Sequence, residues 1–234
     1  MTGATGPGIL RSAVLLAGGR SSRMGRTKAL LDLGGEPMIA RVARALEASC
    51  DELVVVAAAA DRPGETATAD ELRAALACTG FARRADALGM ARDLAEARGP
   101  VAGLAAGLAA ARGRWAIVVP CDLPFLSPSL VAGLFATVEA GPPRAAGTPV
   151  AVVPRRGGYW EPMPAVLDRA VFARLYAEQL ERGELRPTAR FSDPDVIALE
   201  GDALDRLDPG GASFLGVNDA REYARARALL GLPT

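Results

Sequence analysis

Short unbroken apolar runs alternate along this chain with longer stretches whose apolar positions recur three and four residues apart. Ser12–Ala17, Leu53–Ala58, Trp115–Val119, Val150–Val153 and Val196–Leu199 are runs of the first kind. They are too short for helices and predict strands buried on both faces, as in a parallel sheet. Pro37 opens a predicted helix to about Ser49, with Met38, Val42, Ala45 and Leu46 on one face. Asp70–Leu76, Val101–Ala111, Asp168–Arg182 and Asp219–Leu230 predict further helices. Another starts at Ser127-Pro128, an N-cap followed by proline at the first helical position, and runs to about Ala140. Phe81–Ala85 reads as one more short strand, and Gly141–Pro149 as a proline- and glycine-containing loop. Strands alternating with helices predict an α/β fold, a mostly parallel sheet with helices on both faces. Residues 1–11 read as a flexible tail and 12–232 as a single domain, the size that 234 residues suit.

Charge narrows the partners. Lysine plus arginine and aspartate plus glutamate both number 27, so no broad field draws the protein to nucleic acid or to an anionic membrane. No apolar stretch is long enough to span a bilayer, and Cys50, Cys78 and Cys121 form neither a zinc cluster nor a disulfide framework. The expectation is a cytoplasmic protein with reduced thiols, monomeric or weakly self-associating. The sequence holds no histidine, which excludes Ser-His-Asp hydrolysis, Cys-His proteolysis and histidine-ligated zinc or iron. Its chemistry must use carboxylates, lysine, arginine and backbone amides, with or without a hard metal.

The most informative segment runs from Leu16 through Ala17, Gly18 and Gly19 to Lys28. Paired glycines let the backbone turn sharply and aim successive N–H groups at an anion. Arg20, Arg23, Arg26 and Lys28 follow without an intervening acid, which suits a triphosphate; exposed arginines on an ordinary glycine turn are the plainer reading. Neither a Walker P-loop nor the Gly-x-Gly-x-x-Gly dinucleotide fingerprint is present. Pro120-Cys121-Asp122 closes a predicted strand, placing a carboxylate where open α/β sheets bind ligands. Magnesium favours one or two carboxylates with phosphate oxygens and water, so Asp122 suffices as its protein ligand; alternatively, Asp122 starts a turn before Pro124.

The segment Leu16–Lys28, continuing through Ala29-Leu-Leu-Asp-Leu-Gly-Gly-Glu-Pro-Met38, resembles the signature of nucleotide-sugar-type nucleotidyltransferases. Within them the chain looks most like the molybdenum cofactor guanylyltransferases, with Pro-Cys-Asp122 and Asp93…Gly99-Pro-Val-Ala-Gly103 matching two further family segments. The resemblance implies a Rossmann-like fold of the nucleotide-diphospho-sugar transferase type. It also implies GMP transfer from GTP to molybdopterin, with Mg²⁺ and release of pyrophosphate. By position, Leu16, Ala17, Gly18, Gly19 and Asp93 would contact the nucleotide, Arg23 and Lys28 the phosphates, and Asp122 the metal. Lys28, Arg23 and Asp122 would then be the catalytic set. Glu161 and Asn218 occupy two further family segments and read equally as turn and cap residues. Tyr159 and Trp160 read as packing or as a stacking surface. The chain departs from the family where Ala57 replaces a nucleotide-contacting asparagine, over a longer 60–90 region, and at Leu215-Gly216 in place of an asparagine. Transfer of CMP or UMP to molybdopterin or a sugar phosphate, and non-catalytic nucleotide binding, are the competing readings.

Overall fold

Side chains alternate across the pleat of a strand, and this alternation decides which layer each residue joins. The structure is a computed structural model and describes residues 10–18, 27–60, 66–94, 99–140, 151–192 and 195–233. Strands β1 (Arg11–Leu16), β2 (Glu52–Ala57), β3 (Leu88–Arg92) and β4 (Trp115–Pro120) run parallel in the order β3-β2-β1-β4. Beyond β4 the sheet continues through β7 (Ala165–Asp168) to β5 (Ala151–Arg156), and β7 is antiparallel to both neighbours. β8 (Val196–Leu199) pairs parallel with β5, and the two-residue β6 (Tyr159–Trp160) forms a hairpin on the end of β5. The sheet is therefore mixed but mostly parallel, with the C-terminal ends of β1 to β5 and β8 on one edge.

Ala13, Leu15, Leu53, Val55, Ile117 and Val119 point to one face. There they pack against α1 (Met38–Leu46), α2 (Ala69–Leu76), α3 (Gly80–Arg83), α5 (Pro128–Glu139) and α7 (Asp202–Leu207). The alternate residues Val14, Val54, Val56, Ala116 and Val118 face α4 (Gly99–Ala110) and α6 (Arg169–Glu181). α4 is made of small residues because it lies directly on the sheet. A Cβ on Gly107 would come within 2.3 Å of Val14 Cγ1 and 2.7 Å of Val56 Cγ2.

A third, smaller cluster of Leu31, Leu33, Met38, Val217 and Ala226 joins the segment after Lys28 to α8 (Ala220–Leu229). The Tyr223 hydroxyl donates to the Asp32 carbonyl across the same junction. This cluster carries the C-terminal part of the chain to the end of β1.

Most expected elements are present, with ends shifted by up to three residues. The strand expected at Phe81–Ala85 is instead helix α3. Its Gly80 N–H donates to Glu47 Oε1 at 2.6 Å, and Phe81 is buried as the anchor. The actual edge strand, β3, comes later and is only half-buried, so its apolar signal is weak. β7 was also not legible in the sequence, being four residues long and preceded by two prolines. The expected loop 141–149, the first residue of the strand expected from Val150, and all of the N-terminal tail before Leu10 lie outside the described residues. Among the described residues, no helix is long and apolar enough to cross a membrane.

Candidate active site

The expected site residues gather on the carboxyl edge of the parallel strands. Leu16 ends β1, and its carbonyl accepts from the Cys121 N–H at 2.9 Å, while the Ala17 N–H donates to Val56 O at 2.9 Å. These bonds hold the exit of β1 level with the exits of β2 and β4. At Gly18 the chain passes against the exit of β2, where a Cβ would sit 3.1 Å from the Cα and N of Ala58. Only a residue without a side chain passes there undisturbed. Gly19, Arg20, Arg23 and Arg26 lie outside the described residues.

The chain is described again from Thr27, and Lys28 opens a single 3₁₀ turn, Lys28–Leu30. Its ammonium donates to Asn218 Oδ1 at 2.8 Å and lies 3.8 Å from Asp122 Oδ2. Asp122 lies two residues past the end of β4, and its backbone carbonyl accepts from the Val217 N–H at 2.9 Å, which draws the C-terminal segment over the strand end. Three residues far apart in sequence thus meet at one point. Asn218, equally readable as a cap from the sequence, is part of this cluster, and the cap itself is Asp219, whose side chain accepts from the Glu222 N–H.

Burial pushes the Asp122 carboxyl above its ordinary value; Lys28 pulls it back in part, and nearby Glu222 adds to the push. A carboxylate kept partly from water, with one ammonium beyond hydrogen-bond distance, is a hard oxygen donor with coordination capacity to spare. Magnesium requires that chemistry of its protein ligand when phosphates complete the shell. Among the described residues no cluster of three or more acids or thiols stands ready to cage a metal alone. Cys121 is buried, which pushes its thiol up to about 12 and leaves it an unreactive packing group.

Asp93 lies further along the same edge. Its N–H donates to Ala57 O at 2.9 Å, and its Oδ2 stands 3.6 Å from the point where Gly103 of α4 would carry a Cβ. β3 and β4 are separated by β2 and β1, so Asp93 and Asp122 are about three strand spacings apart, roughly 14 Å. That separation suits the two ends of one nucleotide rather than a single metal centre. Ala57 is buried in the core layer at the end of β2.

Trp160 packs edge-on against Phe191, at 6.0 Å between ring centroids, whereas Tyr159 is 80% exposed. Glu161 pairs with Arg156 at 3.7 Å, away from the Lys28 cluster. Sequence reasoning missed Glu222, whose Oε2 accepts from the Asn218 N–H at 2.5 Å and so steadies the asparagine that Lys28 bonds. Its signal was present: an acid three residues after Asp219 is capping-box spacing.

Residues 13–194 match the family model described as the MobA-like NTP transferase domain. A probable molybdenum cofactor guanylyltransferase of Natronomonas pharaonis is 33% identical over 222 residues, which cover 94% of this chain and 98% of that protein. A molybdenum cofactor guanylyltransferase of Pseudomonas putida is 37% identical over 165 residues, 70% of this chain and 73% of that protein. Among solved structures, the molybdopterin-guanine dinucleotide biosynthesis protein A of Archaeoglobus fulgidus superposes with a TM-score of 0.66 at 22% identity, covering 94% of this chain and 98% of that one. At that identity the superposition speaks for the fold, the nucleotide-diphospho-sugar transferase type.

Proposed function

Because this chain belongs to the MobA-like NTP transferase family, we propose that it transfers GMP from GTP to molybdopterin with release of pyrophosphate. The observation that carries this reading is the meeting of Lys28, Asp122 and Asn218 at the exits of β1 and β4, beside the Gly18 turn. In the proposed reaction a phosphate oxygen of the acceptor attacks the α-phosphorus in line. The bond to the bridging oxygen of the β-phosphate breaks, and pyrophosphate departs with that electron pair.

A phosphate monoester is largely ionised at neutral pH and needs no strong base, which agrees with a sequence free of histidine. The protein's task is then positioning and charge neutralisation. The backbone N–H groups of Gly18 and Gly19, which follow Leu16 and Ala17, would receive the triphosphate. Lys28 and Arg23 would offset its charge, and Asn218 would hold the Lys28 ammonium in place. Asp93 would orient the nucleoside end. The residues present fit Mg²⁺, for which Asp122 would be the protein ligand; when bound, the ion would supply neutralisation of the phosphoryl oxygens.

The test is direct. Purified protein is given each of the four NTPs with molybdopterin and Mg²⁺, and pyrophosphate release is followed. GTP-selective release that EDTA abolishes is the expected result. Selective use of CTP or UTP would assign the chain another base, and no release with any NTP would overturn the reading.

A further inference from the structure

Among the described residues, a pocket of about 370 Å³ opens between the end of β5, the start of α7 and the turn before Asn218. Arg155, Arg156, Gly201, Asp205, Gly211 and Phe214 are among the residues that line it. Its volume falls within the range of small-molecule sites.

Strand register places this pocket relative to the Lys28–Asp122 cluster. Leu167 of β7 pairs with Ala116 of β4 on one side and with Ala151 of β5 on the other. β4 and β5 are therefore parallel, and counting forward from this level sets Arg155 beside Pro120 and Arg156 beside Cys121. β8 is in step too, since Leu199 pairs with Pro154, which brings Glu200 and Gly201 level with the two arginines. The pocket thus stands at the height of Asp122, two strand spacings or about 10 Å along the edge. It lies on the side of Asp122 opposite Asp93. The nucleoside end of GTP is assigned to the Asp93 side, so this half of the edge is left for the second substrate. Phe214 and Asn218 are four residues apart, so the pocket wall and the reaction centre are also joined by at most about 14 Å of chain.

The lining chemistry is specific. The Arg156 guanidinium lies over the Phe214 ring at 4.7 Å, against Gly211, and is 3.7 Å from Glu161. Arg155 lies 5.5 Å from the Trp160 ring centroid and 3.8 Å from Glu200. Both ion pairs are too long for hydrogen bonds, and although Arg155 Nε donates to Gly158 O at 3.1 Å, the Arg156 guanidinium donors can turn to a ligand. A guanidinium already held over an aromatic ring is a preorganised platform for a planar heterocycle and for adjacent anionic groups. Asp205, exposed in the first turn of α7, supplies a carboxylate at the same pocket. Two adjacent oxygens match the two parallel N–H donors of a 2-amino-4-oxo ring edge.

We propose that this pocket is the acceptor subsite, taking the pterin ring system of the acceptor between Arg156 and Asp205 while the acceptor phosphate reaches Asp122. This assignment rests on the function proposed above. It is tested with Arg156→Ala and Asp205→Asn, both changes at exposed side chains whose folding is checked by thermal melting. With GTP saturating and molybdopterin varied, each variant is expected to raise the acceptor KM at least about tenfold. The GTP concentration that half-maximally stabilises each variant should match wild type. Binding of free pterin, followed by its own fluorescence, should weaken in parallel. An unchanged acceptor KM in enzymes that still transfer GMP overturns the pocket assignment and leaves the function standing. Loss of GTP binding with an unchanged acceptor KM overturns it by placing the guanine base in the pocket. A wild-type protein that transfers no GMP to molybdopterin overturns both.

Discussion

At the scale of single residues, Asp122 and Lys28 separate function from stability. Because burial raises the folded-state value of the Asp122 carboxyl above that of an unfolded chain, the folded protein binds the proton more tightly. Stability contributed by the protonated acid is therefore lost as pH rises from the ordinary carboxylate range through that raised value. Above that value the ionised carboxylate is the less favourable form of Asp122 in the fold. Asp122→Asn should lower GMP transfer at least about 100-fold. Its melting temperature at pH 7 should nevertheless equal or exceed that of wild type, with any advantage gone near pH 3; calorimetry at the two pH values checks the sign. Lys28→Ala should cost turnover about 100-fold or more. Because its partners are partly solvated, its stability should change by no more than about 1 kcal/mol. Steady-state rates and urea melts on the same preparation measure both effects.

Elements are held by contacts on the opposite edge of the sheet, away from the site. Burial pushes the Glu52 carboxyl up, but the Ser12 hydroxyl, the Arg112 N–H and the Arg112 guanidinium together hold it below the usual range. Ser12 Oγ is 2.5 Å, Arg112 N 2.6 Å and Arg112 Nε 2.6 Å from its oxygens, joining β1, β2 and the end of α4. A depressed value means this stability is present above the ordinary carboxylate range and is lost as pH falls through the native value. Glu52→Gln should cost about 2–3 kcal/mol at pH 7. Its difference from wild type should shrink in acid while KM for GTP stays unchanged; denaturant melts across pH test this. Gly107→Ala drives a methyl into Val14 and Val56 and should cost about 1–3 kcal/mol or more, read as a lower urea midpoint. These lattice points were only partly legible. Glycine at position 107 was visible as part of a small-residue helix, but the residues it meets are set by sheet order.

For the whole molecule, the carboxyl edge carries the proposed chemistry from Asp93 through Gly18 and Asp122 to Arg156. A ligand that spans part of this edge ties several strand exits together and stabilises only the folded state. With Mg²⁺, GTP at about 100 times its Kd should add about 2.7 kcal/mol, or roughly 5–10 °C in Tm for a chain of this length. EDTA should remove much of that shift, and differential scanning fluorimetry measures it.

Local pattern alone determined much of this protein. Apolar runs marked β1, β2, β4, β5 and β8; helical spacing and caps marked six of the helices. The glycine turn, Lys28 and Asp122 are legible in the sequence because each depends on residue type within a few positions. Tertiary structure decided what depends on contacts between distant residues. Lys28 bonds Asn218 across 190 positions, and no periodicity encodes that meeting. It arises because Leu31, Leu33 and Met38 find Val217 and Ala226 as a shared core, and because the Asp122 carbonyl receives the Val217 N–H. The antiparallel β7 likewise carries no length or alternation signal of its own. Yet its insertion sets β5 in step with β4 and brings Arg156 to the height of Asp122. Residue types specify which groups can do chemistry; strand order and register, settled by burial of the whole sheet, specify which of them face the same ligand.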